Sequence, residues 1–230
     1  MKRFYKKVSV SDGEKGFAIT LDGKSVKTPA KEILEVPIKA LGDLLAKEWR
    51  AQGDKVDPSS MPLNRLANTA IDRTILKKDH VVMEVMGFAR FDQLCYRADG
   101  PDELIAFEAK AWDPYLEWLL NVYKIKLEAT TGIGTKEQDS RALKTLKENV
   151  EGHDPFALTA LHNATTLVGS LVLALALEKG FRKAPEIWSD AHVDEDYQIG
   201  RWGQDAEAKK VREEKKKMWL AIDTFFKALR

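Results

Sequence analysis

Cysteine is nearly absent from this 230-residue chain; Cys95 stands alone. A single thiol excludes an internal disulfide and any zinc site built on paired cysteines, and it points to a reducing compartment. Histidine is scarce too. His80, His153, His162 and His192 lie far apart and make neither an HExxH nor an HxH pattern, so a histidine-rich metal site is not expected. An excess of one charge is also missing. With 37 Lys and Arg against 36 Asp and Glu, the net charge is +1 with histidine neutral, which gives no general electrostatic reason to bind nucleic acid or an anionic membrane. There is no long hydrophobic run either. The longest apolar stretch, Ala164 to Leu177, includes Thr165, Thr166 and Ser170 and falls short of the ~20 residues that span a bilayer. Basic residues near the N-terminus (Lys2, Arg3, Lys6, Lys7) are not followed by the apolar segment of a signal peptide, so a soluble cytoplasmic protein without a leader is expected.

What is present suits a folded globular chain. Hydrophobic residues make up 44% and charged residues 32%, which is too apolar for disorder. A chain this long buries roughly 70% of its unfolded surface and needs no staple to fold.

The pattern divides near residue 60. Phe4 to Val10 alternates as a strand, Ser11-Asp12-Gly13 signals a turn, and Phe17 to Leu21 reads as a second strand. Asp22-Gly23 suits a tight hairpin whose two central residues need positive φ, with Lys24 to Thr28 returning and Glu32 to Val36 adding a short strand. Ile38, Leu41, Leu45 and Trp49 then recur at helical spacing, with Pro37 in the first turn and Gly53 past the end. Beyond Met61 the pattern is almost wholly helical. Apolar faces form at Leu63–Ile71 and at Val82–Ala89. Pro101 opens a segment that Asp113-Pro114 interrupts, with Asp113 capping a fresh helix. Lys126 to Thr130 reads as extended and Ala142 to Val150 as helical. One long apolar helix is predicted from Asp154 to about Gly180 as the centre of a second core, then one over Ala184–Gln198, and a last one from about Gln204 to Leu229 with Val211, Met218, Trp219, Ile222, Phe225 and Phe226 as its stripe. The expected fold class is α+β: a small sheet-plus-helix domain over 1–60 and a larger all-helical domain over 61–230.

The chemical motifs are weak when taken singly. Gly132-Ile133-Gly134-Thr135-Lys136 lacks the spacing of a phosphate-binding loop and reads as a turn. Asp72, Asp113, Asp194, Glu195 and Asp196 are candidates for an acid–base pair, but nothing in the sequence fixes a distance between them, and helix caps and surface ion pairs account for most such residues. The lysines at 209–217 alternate with Glu207, Glu213 and Glu214, as on a solvated helix face. Cys95 has no adjacent base and reads as a small buried hydrophobe. Trp49 falls on an apolar stripe and reads as core.

Whole phrases carry more information. Arg3-Phe4-Tyr5-Lys6, Leu21-Asp22-Gly23-Lys24, Lys27-Thr28-Pro29-Ala30, Glu48-Trp49 with Gln52-Gly53, and the long run from Met61 to Arg73 come in order along the chain. They are followed by Leu94-Cys95-Tyr96-Arg97-Ala98, Trp112-Asp113-Pro114, Gly169-Ser170 with Leu173-Ala174, Asp194-Glu195 with Gln198, and Trp202-Gly203-Gln204-Asp205-Ala206-Glu207-Ala208. Together they resemble the assembly chaperone that holds the α subunit of the F-type ATP synthase catalytic head. Gln204 is a departure, since an acid is expected at that place. The resemblance implies a small α+β domain before a helical one, a binding protein rather than an enzyme, no cofactor or metal, and a monomer. It implies as client the α subunit before it meets β, kept from aggregating until then. The implied location is the bacterial cytoplasm, or the mitochondrial matrix for leader-bearing relatives.

The resemblance also suggests functional acids in the C-terminal third. The matching positions are Asp205 and Glu207, then Asp194 and Glu195; Asp205 and Glu207 read equally well as charges favoured in the first turn of a helix. Arg65, Asn68, Asp72 and Arg73 lie on the polar side of an otherwise apolar helix. They read as an ion-pair network between the two domains, the preferred reading, or as a recognition face. The alternative function is a small-molecule enzyme using Asp72 and Arg73, or Trp112 and Asp113.

Overall fold

The structure, a computed structural model, describes residues 2–132, 134 and 136–230. Ile133 and Thr135 of the glycine-containing word lie outside the described residues. The chain falls into two compact units, one of Met1–Lys78 with Asp154–Ala160 and Thr224–Arg230, the other of Asp79–His153 with Leu161–Asp223.

The first unit is a small antiparallel sheet covered by a helix. Strands β1 (Val8–Asp12) and β2 (Phe17–Leu21) pair in the register Val8 opposite Leu21 and Asp12 opposite Phe17. β2 also pairs with β3 (Lys24–Ser25) and with β4 (Glu35–Val36). The Asp-Gly turn forms as expected, with Asp22 at φ 48° and Gly23 at φ 82°. β1 begins and ends later than its alternation suggested. The Asp22 carboxylate accepts the N–H groups of Lys6 and Lys7, which takes them out of the ladder, and Tyr5 is spent on Trp49, its hydroxyl donating to that residue's carbonyl at 2.6 Å. Helix α1 (Lys39–Arg50) lays Leu41, Leu45 and Ala46 on the sheet; Pro37 precedes its N-cap, Ile38.

Helix α2 (Pro62–Thr69) follows and runs into a π-helical turn, Ala70–Thr74, closed by the Ile75 N–H donating to the Ala70 carbonyl at 2.9 Å. The boundary expected at residue 60 therefore falls inside the first unit. The reason is a polar clasp between helices. Glu48 of α1 reaches over to α2, whose N-cap residue Met61 makes no side-chain cap.

The second unit is helical. α3 (Lys78–Arg90) leads to β5 (Tyr96–Arg97), α4 (Asp102–Tyr123), β6 (Thr130–Thr131) parallel to β5, and α5 (Ser140–Glu151). Then come α6 (Pro155–Val168), whose residues up to Ala160 belong to the first unit, α7 (Leu171–Lys179), α8 (Ala184–Ala191), α9 (Val193–Trp202) and α10 (Ala206–Ala228), whose last residues also belong to the first. Every residue from Leu171 to Leu177 is buried, so α7 is the core helix of this unit.

Three helix boundaries differ from those read in the sequence. Pro114 does not stop α4, which continues through it. An internal proline costs ~3 kcal/mol, but the neighbouring Trp112 and Tyr115 are fully buried and both reach Asp190 of α8, the indole donating to its carbonyl at 2.7 Å and the phenol to its carboxylate. Asp113 accordingly caps nothing; it accepts from Arg97 at 2.8 Å. The long apolar helix is two helices. Gly169 turns left-handed at φ 65° and the Ser170 hydroxyl caps α7 by accepting the Leu173 N–H at 3.0 Å. The helix predicted over Ala184–Gln198 also breaks, at His192, whose ring Nδ1 lies 2.7 Å from the Trp188 carbonyl. On α10, Trp219, Ile222, Phe225 and Phe226 are buried as expected, but Val211 is exposed.

Candidate functional site

Each unit carries one candidate site. In the first unit it is a groove of about 700 Å³ along α2 and the π turn. Its construction starts at Glu48. That carboxylate accepts the Leu63 and Asn64 N–H groups, both at 2.9 Å, and the Asn64 side-chain amide at 2.7 Å, so it caps α2 from outside. Burial pushes its carboxyl above the ordinary range; the bonds from Asn64 and Leu63 oppose the shift without cancelling it. Asn64 completes the clasp. Its amide nitrogen donates to the Leu45 carbonyl, and its oxygen accepts the Trp49 indole N–H at 2.8 Å. Trp49, expected in the core, is half-buried and lines the groove with Val56 and Met61.

One face of α2 and the π turn forms the opposite wall: Arg65, Asn68, Thr69, Asp72 and Arg73. Lys27, Thr28 and Pro29 close the end. Asp72 ties this wall to that loop, its Oδ2 accepting the Ala30 N–H at 3.0 Å. The structure thus brings Arg65, Asp72 and Arg73 together along one open groove within a single unit. The π turn, an uncommon insertion concentrated at functional sites, lies under Asp72 and Arg73.

In the second unit, Glu195, Asp205 and Glu207 line one cavity of about 490 Å³ with His192, Val211 and Arg212. Asp205 caps α10: its Oδ1 accepts the N–H groups of Glu207 at 2.8 Å and Ala208 at 2.9 Å, and these bonds hold its carboxyl below the usual range. Arg212 reaches back to α9, pairing with Asp196 at 2.5 Å and with Glu195 at 3.6 Å. Burial lowers the His192 imidazole.

Asp194 is not part of that cavity. It lies against Glu108, which is 1% exposed and whose carboxyl burial pushes well above the ordinary range, with Asp194 adding to the rise. Glu108 accepts the Ala98 N–H with both oxygens. Nothing in the sequence marked Glu108. Trp202 is a further candidate that no charge or spacing pattern in the sequence singles out. It is 77% exposed, three residues ahead of Asp205, and its place in the Trp-Gly word was the available signal. Trp112 and Asp113, offered as an alternative enzyme region, are committed to Asp190 and Arg97.

A sheet-and-helix unit and a helical unit, each with an open recess bordered by charged side chains, have the form of a protein that binds other surfaces. A family model described as ATP12 chaperone protein matches residues 2–120. The chain belongs to the ATP12 chaperone family. It is similar to the crystal structure of Atp12 from Paracoccus denitrificans, at 36% identity and a TM-score of 0.95 over 100% of this chain and 98% of that one. A protein of Agrobacterium tumefaciens is 41% identical with a TM-score of 0.96, covering 100% of this chain and 86% of that one. The mitochondrial protein atp12 of Schizosaccharomyces pombe is 24% identical over 232 residues, 96% of this chain and 80% of its own length. No helix among the described residues is long and apolar enough to cross a membrane.

Proposed function

We propose that this protein binds the unassembled α subunit of the F1 catalytic head and shields it until the β subunit replaces the chaperone. Family membership makes the protein an assembly chaperone of F1-ATPase; the α subunit as client is our reading. An obligate subunit interface is large and apolar, and an unpaired one aggregates. A holder must cover such a surface and still release it. That calls for a few aromatic anchors inside a polar, charged rim rather than a second apolar core.

The observation that carries the reading is Trp202. An indole 77% exposed, followed by acids that gather at one cavity, has the composition of an interface anchor and its rim. Asp205 meets its capping duty through Oδ1, and with Glu207 it presents negative charge to basic groups on a client, which sets register and on-rate more than affinity. Binding and release of a surface require no catalytic group.

The test is retention of purified α subunit by the immobilised protein. Wild type retains it, and Trp202→Ala weakens retention by at least ~2 kcal/mol, as loss of a central aromatic anchor does. Full retention by Trp202→Ala removes the anchor, and no retention by wild type removes the client.

A further inference from the structure

We propose that a patch of exposed lysines around Phe4 in the first unit docks the protein on an anionic lipid surface. This goes beyond the chaperone reading and does not depend on which subunit is the client.

The near-zero net charge of the chain conceals a segregation. The first unit has 18 Lys and Arg against 11 Asp and Glu, a net +7, and the second has 19 against 25, a net −6. An anionic surface therefore attracts the first unit and repels the second, a selectivity that the total of +1 hides.

The N-terminal segment gives this excess a focus. Side chains of an extended segment alternate between its two sides. Tyr5 is buried, and Arg3 turns inward, donating to the Gln52 carbonyl and lying 4.6 Å from the centroid of the Tyr5 ring. Lys2, Phe4 and Lys6 face outward and are exposed. Lys55 lies opposite Lys2 in an antiparallel bridge. Lys7 stands at the Asp-Gly turn, its carbonyl accepting the Asp22 N–H at 2.9 Å, and Lys24 follows that turn. All five lysines are exposed, and none makes an ion pair among the described residues. Asp22 and Asp54, the acids beside them, leave the patch net positive.

Two features select a lipid surface over an acidic peptide or a nucleic acid. The free cations are all lysines, point charges on flexible stems that suit diffuse attraction. Arginine, whose planar fork clamps a single carboxylate or phosphate, occurs here only as Arg3 and is spent inside the unit. The second feature is Phe4, 65% exposed and held by edge-on packing against Tyr5, with ring centroids 5.5 Å apart at 82°. One projecting ring among lysines suits a surface that deforms around it; a single strand is read by a series of stacking rings.

The test is co-sedimentation of the full-length protein with vesicles of phosphatidylcholine alone and of phosphatidylcholine mixed with phosphatidylglycerol. The expected result is binding to the mixed vesicles only, at low ionic strength, and its loss at about 0.5 M salt. Phe4→Ala weakens binding roughly threefold or more, and the triple variant Lys2→Gln, Lys6→Gln, Lys24→Gln at least about tenfold, both at an unchanged melting temperature. The triple variant Lys209→Gln, Lys215→Gln, Lys216→Gln makes the same change in total charge on the second unit and binds within about threefold of wild type. No binding to the mixed vesicles overturns the proposal, as does equal binding to the neutral ones or equal loss in the two triple variants. Tighter binding to a single-stranded oligonucleotide, lost in the first-unit variants, gives the patch to nucleic acid and overturns it too. Retention of purified α subunit, measured on the same proteins, is expected to be unchanged; its loss in the first-unit variants without any vesicle binding gives the patch to the client instead. A wild type that binds mixed vesicles but retains no α subunit removes the client and leaves the lipid surface standing.

Discussion

Glu48 is the residue whose removal tests the architecture of the groove most directly. It belongs to α1 but caps α2, accepting two backbone N–H groups at 2.9 Å and the Asn64 amide at 2.7 Å. The helix it caps has no cap of its own and begins at Pro62. Hydrogen bonds to a charged acceptor contribute roughly 1.5–3 kcal/mol each, and a lost N-cap alone costs about 1 kcal/mol. The three bonds share one partly exposed carboxylate, and water reaches some of the freed donors. Glu48→Ala is therefore expected to lose about 3 kcal/mol, well short of the sum. For a chain of this size that lowers the melting temperature by roughly 6–12 °C. Glu48→Gln keeps one oxygen but turns an amide N–H₂ toward a backbone donor, so it loses about half as much. Because Asn64 shares the clasp, a double-mutant cycle between Glu48→Ala and Asn64→Ala should show a coupling of about 1 kcal/mol. Urea unfolding and thermal melts of the four proteins provide the measurement. A loss below about 1 kcal/mol for Glu48→Ala, or strict additivity with Asn64→Ala, refutes the claim that this carboxylate organises α2 and the groove wall.

Two further predictions come from the second unit. Asp92 is fully buried, accepts the Leu94 and Val172 N–H groups at 3.1 Å each, and is pushed by burial from 3.8 up to about 6. Over that window the native state holds a proton the unfolded chain has released, so stability falls as pH rises from about 4 to 6, by up to about 3 kcal/mol. Asp92→Asn lacks this contribution; urea midpoints of the two proteins that track in parallel between pH 4 and 6 would contradict it. Gly169 sits at φ 65°, and an added Cβ would lie 3.2 Å from the Gln93 Oε1. Gly169→Ala should therefore cost about 1–2 kcal/mol in urea unfolding, whereas Gly53→Ala, with nothing within 4 Å of its Cβ and no positive φ, should be near neutral.

Features set by neighbours in the chain were legible in the sequence. The Asp22-Gly23 turn follows from two adjacent residues that tolerate positive φ, and α1 from apolar side chains repeating every three or four residues. The family phrases likewise marked Arg65, Asp72 and Arg73 as one group, and a helical face is enough to bring them along one wall. Local breakers are weak guides to where these helices end. Proline at 114 argues for a stop, and apolar residues on both sides of Gly169 argue for continuation. Each time the outcome rests on bonds to residues far away in sequence: Trp112 and Tyr115 to Asp190, Val172 to Asp92. The sites divide in the same way. The chain alone told which side chains were candidates, because their identity and spacing are written in it. Only the tertiary structure decided that Asp194 turns to Glu108 while Asp205 and Glu207 line one cavity with Glu195, and that Glu48 builds the groove from another helix. Those pairings join residues 10 to 86 positions apart, and a distance across the fold is fixed by packing, not by any pattern along the backbone.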